Sequence, residues 1–325
     1  MEEPSGREIS AAFPLEELFS SPLMPELSTE GWTRHEAYGL QWLERPLPGL
    51  VGPLYITGKA SSSLDIAKRL AELDLFPVWS TALVLSQSAG RGQMRREWTS
   101  PEGNIYAAMR LPMEPPFSTF AAAPAIGGLL AEALTQEGCP VLLKWPNDIL
   151  QPTKGLAAGT MPGRGDCHKV AGILLEERRG SLIAGIGINL TTAPPRSALR
   201  DDHVFDAGIL RTLEGTPLLA NTVEKAKESS QDVTIFTLWK RLVERIFSCY
   251  ANKTNHDSWW LPYAERHLAF VGCRVSFADA CPEDDTMTRI PCEGIVDGVT
   301  PSGALRLRSE YGMDTLLGGS LLPGS

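Results

Sequence analysis

Several common chemistries are missing from this chain. Its six cysteines, Cys139, Cys167, Cys249, Cys273, Cys281 and Cys292, are scattered without a C-x-x-C pair, and there are only five histidines. A disulfide framework or a structural zinc site is therefore not expected. No apolar run reaches the roughly 18 residues that a membrane-crossing helix needs. The chain opens Met-Glu-Glu-Pro, without the basic and apolar regions of a secretory signal. These absences point to a cytoplasmic protein with no membrane partner. Positive charge is also scarce where a DNA-reading module would carry it. Residues 1–50 hold nine glutamates against Arg7, Arg34 and Arg45, in a chain of formal net charge -9. Neutralising phosphates takes a basic face, so no nucleic-acid partner is expected.

At 325 residues and 43% hydrophobic content, the chain can bury a full core and has room for two or more domains. Its organising stretch is Gly90-Arg91-Gly92-Gln93-Met94-Arg95-Arg96-Glu97-Trp98, between the strand-like Ala82-Leu83-Val84-Leu85 and an alternating run over 104–111. Gly90 and Gly92 allow positive dihedrals and close ligand approach, and arginine offers a planar fork to carboxylate or phosphate. No Gly-Lys-Ser/Thr follows, and neither a third glycine nor a helical pattern comes next, so this is neither a Walker loop nor a dinucleotide fingerprint. The pattern leaves two readings, a solvated hairpin loop and an anion site.

In chain order, residues 1–52 form an acidic, proline-containing extension, expected to be partly disordered or laid on a surface, with ordered structure starting near Pro53 at Leu54-Tyr55-Ile56. Ser61, Ser62 and Ser63 precede a helical face of Ile66, Ala67, Leu70 and Ala71, where they can cap the helix or meet a polar ligand. A helix over 124–136 stops at Gly138. The apolar Val141-Leu142-Leu143 then ends in Lys144-Trp145-Pro146-Asn147-Asp148, read either as a strand-ending turn or as polar contacts projected into a cleft. A glycine-rich loop over 151–168 leads to two apolar strands, 169–176 and 182–190, joined as a central hairpin. Ile235, Trp239, Leu242, Val243, Ile246 and Tyr250 trace an amphipathic helix. Short strand candidates at 273–277, 292–296, 305–308 and 315–316 predict a small barrel.

With these pieces placed, the chain resembles the biotin-protein ligases. The resemblance rests on Gln87-Ser88-Ala89-Gly90-Arg91-Gly92-Gln93 with Trp98, on Lys144-Trp145-Pro146-Asn147-Asp148, on Lys169-Val170-Ala171-Gly172-Ile173-Leu174, and on Gly185-Ile186-Gly187-Ile188-Asn189. It implies an α+β fold: a central mixed β-sheet flanked by helices, of the class II aminoacyl-tRNA synthetase and biotin ligase type, with a small C-terminal SH3-like β-barrel. The implied division is an extension at 1–52, a biotin- and ATP-binding catalytic domain at 53–268 and a barrel at 269–325. The acidic extension does not resemble the winged helix of members that also repress transcription.

The implied reaction joins biotin to ATP, with Mg2+ as its companion, to give biotinyl-5'-AMP and pyrophosphate. The acyl group then passes to a lysine of a biotin carboxyl carrier domain, the expected partner of a monomer or homodimer. Carboxylate attack on a phosphate brings two anions together, so cations are needed to stabilise the spreading charge. The resemblance assigns that catalytic role to Arg91 and Lys169. Biotin falls to Ser62, Ser63, Gln87, Gly90, Arg91, Gly92, Gln93, Lys169 and Gly172, and the nucleotide to Trp98, Asn147, Asp148 and Asn189. Mg2+ would arrive with ATP, with Asp148 as its one candidate protein ligand.

This chain departs from the pattern at Leu64, where an asparagine is frequent, at Arg95, which replaces a glycine, at Gln93, where some members have an arginine, and in a long loop over 149–168. Two rivals remain beside the ligase. One is a lipoate or octanoate ligase or transferase of the same superfamily, for which Cys167-His168-Lys169 would offer a thioester cysteine. The other is a non-catalytic biotin-sensing protein.

Overall fold

The computed structural model describes residues 31–37, 40–46, 52–93, 96–153, 165–198, 205–219, 233–254, 256–278, 293–310 and 312–323. In order, the first elements are β1 (Thr33–Ala37), β2 (Leu40–Arg45), β3 (Leu54–Ala60), α1 (Ser63–Glu72), β4 (Thr81–Gln87) and β5 (Ile105–Leu111). Next come α2 (Ala122–Gln136), β6 (Leu142–Lys144), β7 (Asp148–Pro152), β8 (Cys167–Arg178) and β9 (Ser181–Ile188). The helices α3 (Ile235–Ala251) and α4 (Leu261–His267) precede β10 (Arg274–Ala278), β11 (Glu293–Val299), β12 (Leu305–Ser309), β13 (Gly312–Leu316) and β14 (Ser320–Pro323). Nine strands make a mixed sheet in the order β1-β2-β3-β4-β5-β9-β8-β7-β6, and five make a second sheet, β13-β12-β11-β10-β14. No described helix is long and apolar enough to cross a membrane.

The chain falls into two compact units. Among the described residues the first takes β1 to β5, residues 174–187 and α3 as far as Arg241. Its core sets α1 against the sheet: Leu64, Ile66, Ala67 and Leu70 pack with Trp42, Tyr55, Val84, Tyr106 and Ile183. The helical spacing of apolar residues read from the sequence is thus the buried face, widened by Leu64. β3 and β4 run parallel, with α1 as their crossover, while β4 and β5 are antiparallel. Trp239 of α3 is fully buried and donates its indole N–H to the Thr81 hydroxyl at 2.9 Å.

The second unit takes residues 113–173, the described residues from Ile188 to 219, and everything from Leu242 onward. Small residues let α2 come close to its neighbours: a Cβ at Gly128 would lie 2.6 Å from the Ala264 backbone nitrogen, and one at Gly127 2.6 Å from Leu143 Cδ1. At the tip of the β11–β12 hairpin, Gly303 has φ +89 and a Cβ there would sit 2.4 Å from Ala121 Cα. Trp145, 1% exposed, donates its indole N–H to the Gly303 carbonyl at 2.9 Å.

Two expectations change. Ordered structure does not wait for Pro53. β1 and β2 pair antiparallel with each other, β2 pairs with β3, and Leu40, Trp42 and Leu43 are buried. The alternation there is short and interrupted by polar residues, so it carried no visible period; residues 1–30 lie outside the described residues. The carboxy-terminal strands form a five-stranded antiparallel sheet with β13 and β14 as edges, and among the described residues no pairing closes it into a barrel. The Lys144–Asp148 segment is the turn of the β6–β7 hairpin, Lys144 pairing with Asp148, as the reading of a strand-ending turn has it. The expected β8–β9 hairpin forms, and Arg179 and Gly180 at its tip both take the positive φ of a two-residue turn. Arg95 and most of the long glycine-rich loop, residues 154–164, lie outside the described residues.

Candidate functional site

The candidate residues fall into two groups, one in each unit. In the first, strand β4 delivers the chain to the loop over 90–98. The loop is folded back on itself: Trp98 N–H donates to Gly90 O at 2.9 Å and Gly92 N–H to Arg96 O at 2.7 Å, and Arg91 bridges to Glu97. Neither Gly90 nor Gly92 takes a positive φ. The reason for glycine at position 90 is proximity, because a Cβ would lie 2.3 Å from Trp98 O and 2.6 Å from Ser100 Oγ. At Gly92 a Cβ would meet nothing nearer than 3.7 Å. The dihedral freedom inferred for both glycines is therefore not what the loop uses.

Arg91 does not stand open to solvent. Nη1 and Nη2 donate to Asp65 Oδ2 and Oδ1 at 3.0 and 2.7 Å, a fork-to-fork pair. Glu176 Oε1 lies 3.6 Å from Nη2. Lys68 pairs closely with Glu176 and lies 3.5 Å from Asp65 Oδ1. Burial alone would raise the Asp65 pKa. The Arg91 hydrogen bonds, joined by one from Ser61, outweigh it and hold the carboxyl at about 2. The Arg91 pKa is raised in turn, chiefly by the Asp65 hydrogen bonds.

The serines act at the start of α1. Ser62 is the N-cap, its Oγ accepting from Asp65 N–H at 3.1 Å, and Ser61 Oγ donates to Asp65 Oδ2 at 2.8 Å. Gln87 is committed at both ends of its amide: Oε1 accepts from Ser63 N–H at 2.8 Å and Nε2 donates to Ser100 Oγ at 2.8 Å. Ser62, Ser63, Gln87, Gly90 and Arg91 are thus tied into one network, while Gln93 is exposed. Trp98 packs against β9, where a Cβ at Gly187 would meet its ring at 2.7 Å.

The second group is built on the β6–β7–β8 ladder. Lys169 lies inside β8, and its ammonium is 2.6 Å from Asp148 Oδ1, while Lys144 Nζ is 3.4 Å from Oδ2. Desolvation would raise the Asp148 pKa. The charge of Lys169, then that of Lys144, overcomes it and holds the group at about 2. Gly172 pairs opposite Asp148 across the ladder. Asn147 and Asn189 are buried and structural in their contacts: Asn147 Nδ2 donates to Ile173 O at 2.7 Å, and Asn189 Nδ2 to Gly208 O at 3.1 Å. Asn189 N–H also donates to Val170 O at 2.8 Å.

Each Asp148 oxygen faces an ammonium, so a dication arriving with a phosphate would have to displace or join Lys169 and Lys144 there. The thioester rival loses its nucleophile. Cys167 is 1% exposed, and burial, with Asp166 nearby, pushes its thiol up to about 12, leaving almost no thiolate at neutral pH.

Reading the sequence alone missed Asp65, Lys68, Glu176 and the part played by Lys144. Asp65 stands three residues after Ser62, the spacing of a capping box, which hides a second task. Glu176 looked like the polar end of an apolar strand. Both pairings join residues 26 or more positions apart, which no local pattern displays.

Comparison with known proteins agrees with the fold. Residues 64–192 match the Biotin/lipoate A/B protein ligase family. The Biotin--[acetyl-CoA-carboxylase] ligase of Paracoccus denitrificans is 28% identical over 246 residues, covering 72% of this chain and 86% of that one. The Bifunctional ligase/repressor BirA of Bacillus subtilis is 34% identical over 145 residues, or 41% of this chain and 39% of its own length. Among solved structures, the biotin protein ligase from Aquifex aeolicus in complex with biotin and ATP superimposes with a TM-score of 0.59. It covers 83% of this chain and 98% of that one at 22% identity, which establishes likeness of fold.

Proposed function

Because residues 64–192 match the Biotin/lipoate A/B protein ligase family, we propose for this chain the activity of a biotin--[biotin carboxyl-carrier protein] ligase. Biotin's carboxylate attacks the α-phosphate of MgATP. A carboxylate–phosphate bond forms, pyrophosphate leaves, and biotinyl-5'-AMP results. A lysine amine of a carrier domain then attacks the acyl carbon, giving the biotinyl amide and AMP. The partner follows from the relatives' acceptor, a biotin carrier of a carboxylase.

The observation that carries this reading is the Lys144–Asp148–Lys169 trio inside the family-matched segment. It places two ammoniums around one carboxylate, at 3.4 and 2.6 Å. Such a trio suits a step in which a carboxylate and a phosphate must approach each other. Lys169 and Arg91 are the two cations assigned to the anionic atoms. Ser62, Ser63, Gln87, Gln93 and the Gly90, Gly92 and Gly172 backbone serve biotin, and Trp98, Asn147 and Asn189 the nucleotide. The strands from Arg274 onward are taken as the SH3-like module that accompanies such ligases.

The test is pyrophosphate release. Release that depends on biotin, together with transfer of labelled biotin to a carrier domain, is the expected result. Release that depends on lipoate instead, or retained biotin binding with no release at all, overturns the assignment.

A further inference from the structure

Lys169 faces Asp148 because β8 carries one residue more than its partner strand. Across the β7–β8 ladder Asp148 pairs with Gly172 and Ile149 with Ala171, but Leu150 pairs with Lys169, which leaves Val170 as an extra residue on β8. This is a β-bulge. In a regular ladder Leu150 would pair with Val170, and Lys169 would point to the opposite face from Asp148, because successive side chains alternate. The bulge turns Lys169 onto the face that Asp148 shares with Lys144, where its ammonium lies 2.6 Å from Asp148 Oδ1. A bulge disrupts the ladder locally, so the backbone groups around it need partners elsewhere. Asn189 N–H donates to Val170 O at 2.8 Å, Lys169 N–H to Asp206 O at 2.8 Å, and Gly208 N–H to Lys169 O at 3.0 Å. Residues 206–208 thus form a parallel bridge to β8 at Lys169 itself. The Asn189 side chain ties the two supports together, its Nδ2 donating to Gly208 O at 3.1 Å. Glycine is required at position 208 by proximity, since a Cβ there would lie 2.5 Å from His168 Cβ and 2.9 Å from His168 Cγ.

We propose that Gly208 and Asn189 are positioning residues for Lys169: they lock the Val170 bulge and so fix the face of the sheet on which the Lys169 ammonium stands. Their importance for turnover rests on the catalytic role proposed above for Lys169. A slip of one residue at Val170 would carry the ammonium to the other face and leave Asp148 to Lys144. The lock works through the backbone of Lys169, which is held on one side by β7 and on the other by residues 206–208.

The experiment compares the full wild-type chain with Gly208→Ala, Asn189→Asp, Lys169→Ala and the double variant of Gly208→Ala with Lys169→Ala. Gly208→Ala is expected to speed amide exchange at Lys169 by about fivefold. It should also lower kcat for biotin-dependent pyrophosphate release by about tenfold, with the KM for biotin changed by less than about threefold. In the Lys169→Ala background the same methyl should cost less than about twofold, because the group it misplaces is already gone. Asn189→Asp keeps the backbone contact to Val170 and removes the donor to Gly208 O. It should speed exchange at Lys169 by about threefold, and it decides the matter should Gly208→Ala not fold. Unchanged exchange at Lys169 in the folded variants overturns the lock. So does a loss of turnover that persists in full in the Lys169→Ala background, since the methyl would then act through something other than the ammonium. The activity reading fails separately, if Lys169→Ala alone releases pyrophosphate as the wild type does, and the exchange rates then still decide the lock.

Discussion

Arg91 and Lys169 are both cations held by an aspartate, and the differences between their settings are instructive. Arg91 rides on a loop, belongs with Asp65, Lys68 and Glu176 to a cluster of no net charge, and is 35% exposed in its side chain. Lys169 is mounted on a strand and shares Asp148 with Lys144. Arg91 is held by one bidentate carboxylate in the first turn of a helix, whereas Lys169 shares its carboxylate with a second ammonium on a strand ladder.

The comparison breaks first on turnover. Lys169→Ala and Arg91→Ala are each expected to lose on the order of a hundredfold in biotin-dependent pyrophosphate release, or about 2.7 kcal/mol of barrier. Near-normal turnover by either folded variant removes that residue from the chemistry. Stability should separate the two aspartates next. Asp148→Asn leaves two neighbouring ammoniums without their carboxylate and should cost about 2 kcal/mol. Asp65→Asn, next to a cation one-third exposed, should cost under about 1 kcal/mol. Urea unfolding of the two variants checks the order, and equal losses would erase the distinction.

The mount of Arg91 can be sharpened with its flanking glycines. Gly90→Ala drives a methyl to within 2.3 Å of Trp98 O and should destabilise by about 1–3 kcal/mol. Gly92→Ala, whose added methyl would make only ordinary contact with Arg96 O at 3.7 Å, should stay within about 0.5 kcal/mol. The smallest effect is on acid stability. Both carboxyls are held at about 2 in the folded chain, below their ordinary value of 3.8. The unfolded chain therefore takes up the proton first as pH falls. Their stabilisation is present above about pH 4 and lost between about 4 and 2, and each Asn variant should flatten the slope of unfolding free energy in that window.

Much of the molecule could be read in the amino-acid order because its signals are local. The α1 face, the α3 stripe, the β8–β9 hairpin and the serine cap at Ser62 each depend on residues within a few positions of one another. The same holds for the family motifs, whose matched span of 64–192 contains most of the candidate site. What stayed hidden is non-local or double in meaning. β1 and β2 are short, and their membership in the sheet is fixed by pairing with β3. Trp145 read as part of a binding motif, yet its indole is spent on a carbonyl 158 positions away.

The order of residues alone determined that this chain carries a glycine-flanked arginine, a lysine-led apolar strand and a segment, 64–192, that matches a ligase family, since those are patterns of neighbouring residues. Only the tertiary structure decided the partner of each cation. A guanidinium or ammonium satisfies itself with whatever carboxylate the fold brings within about 4 Å. Here that choice gave Asp65 to Arg91 and Asp148 jointly to Lys144 and Lys169.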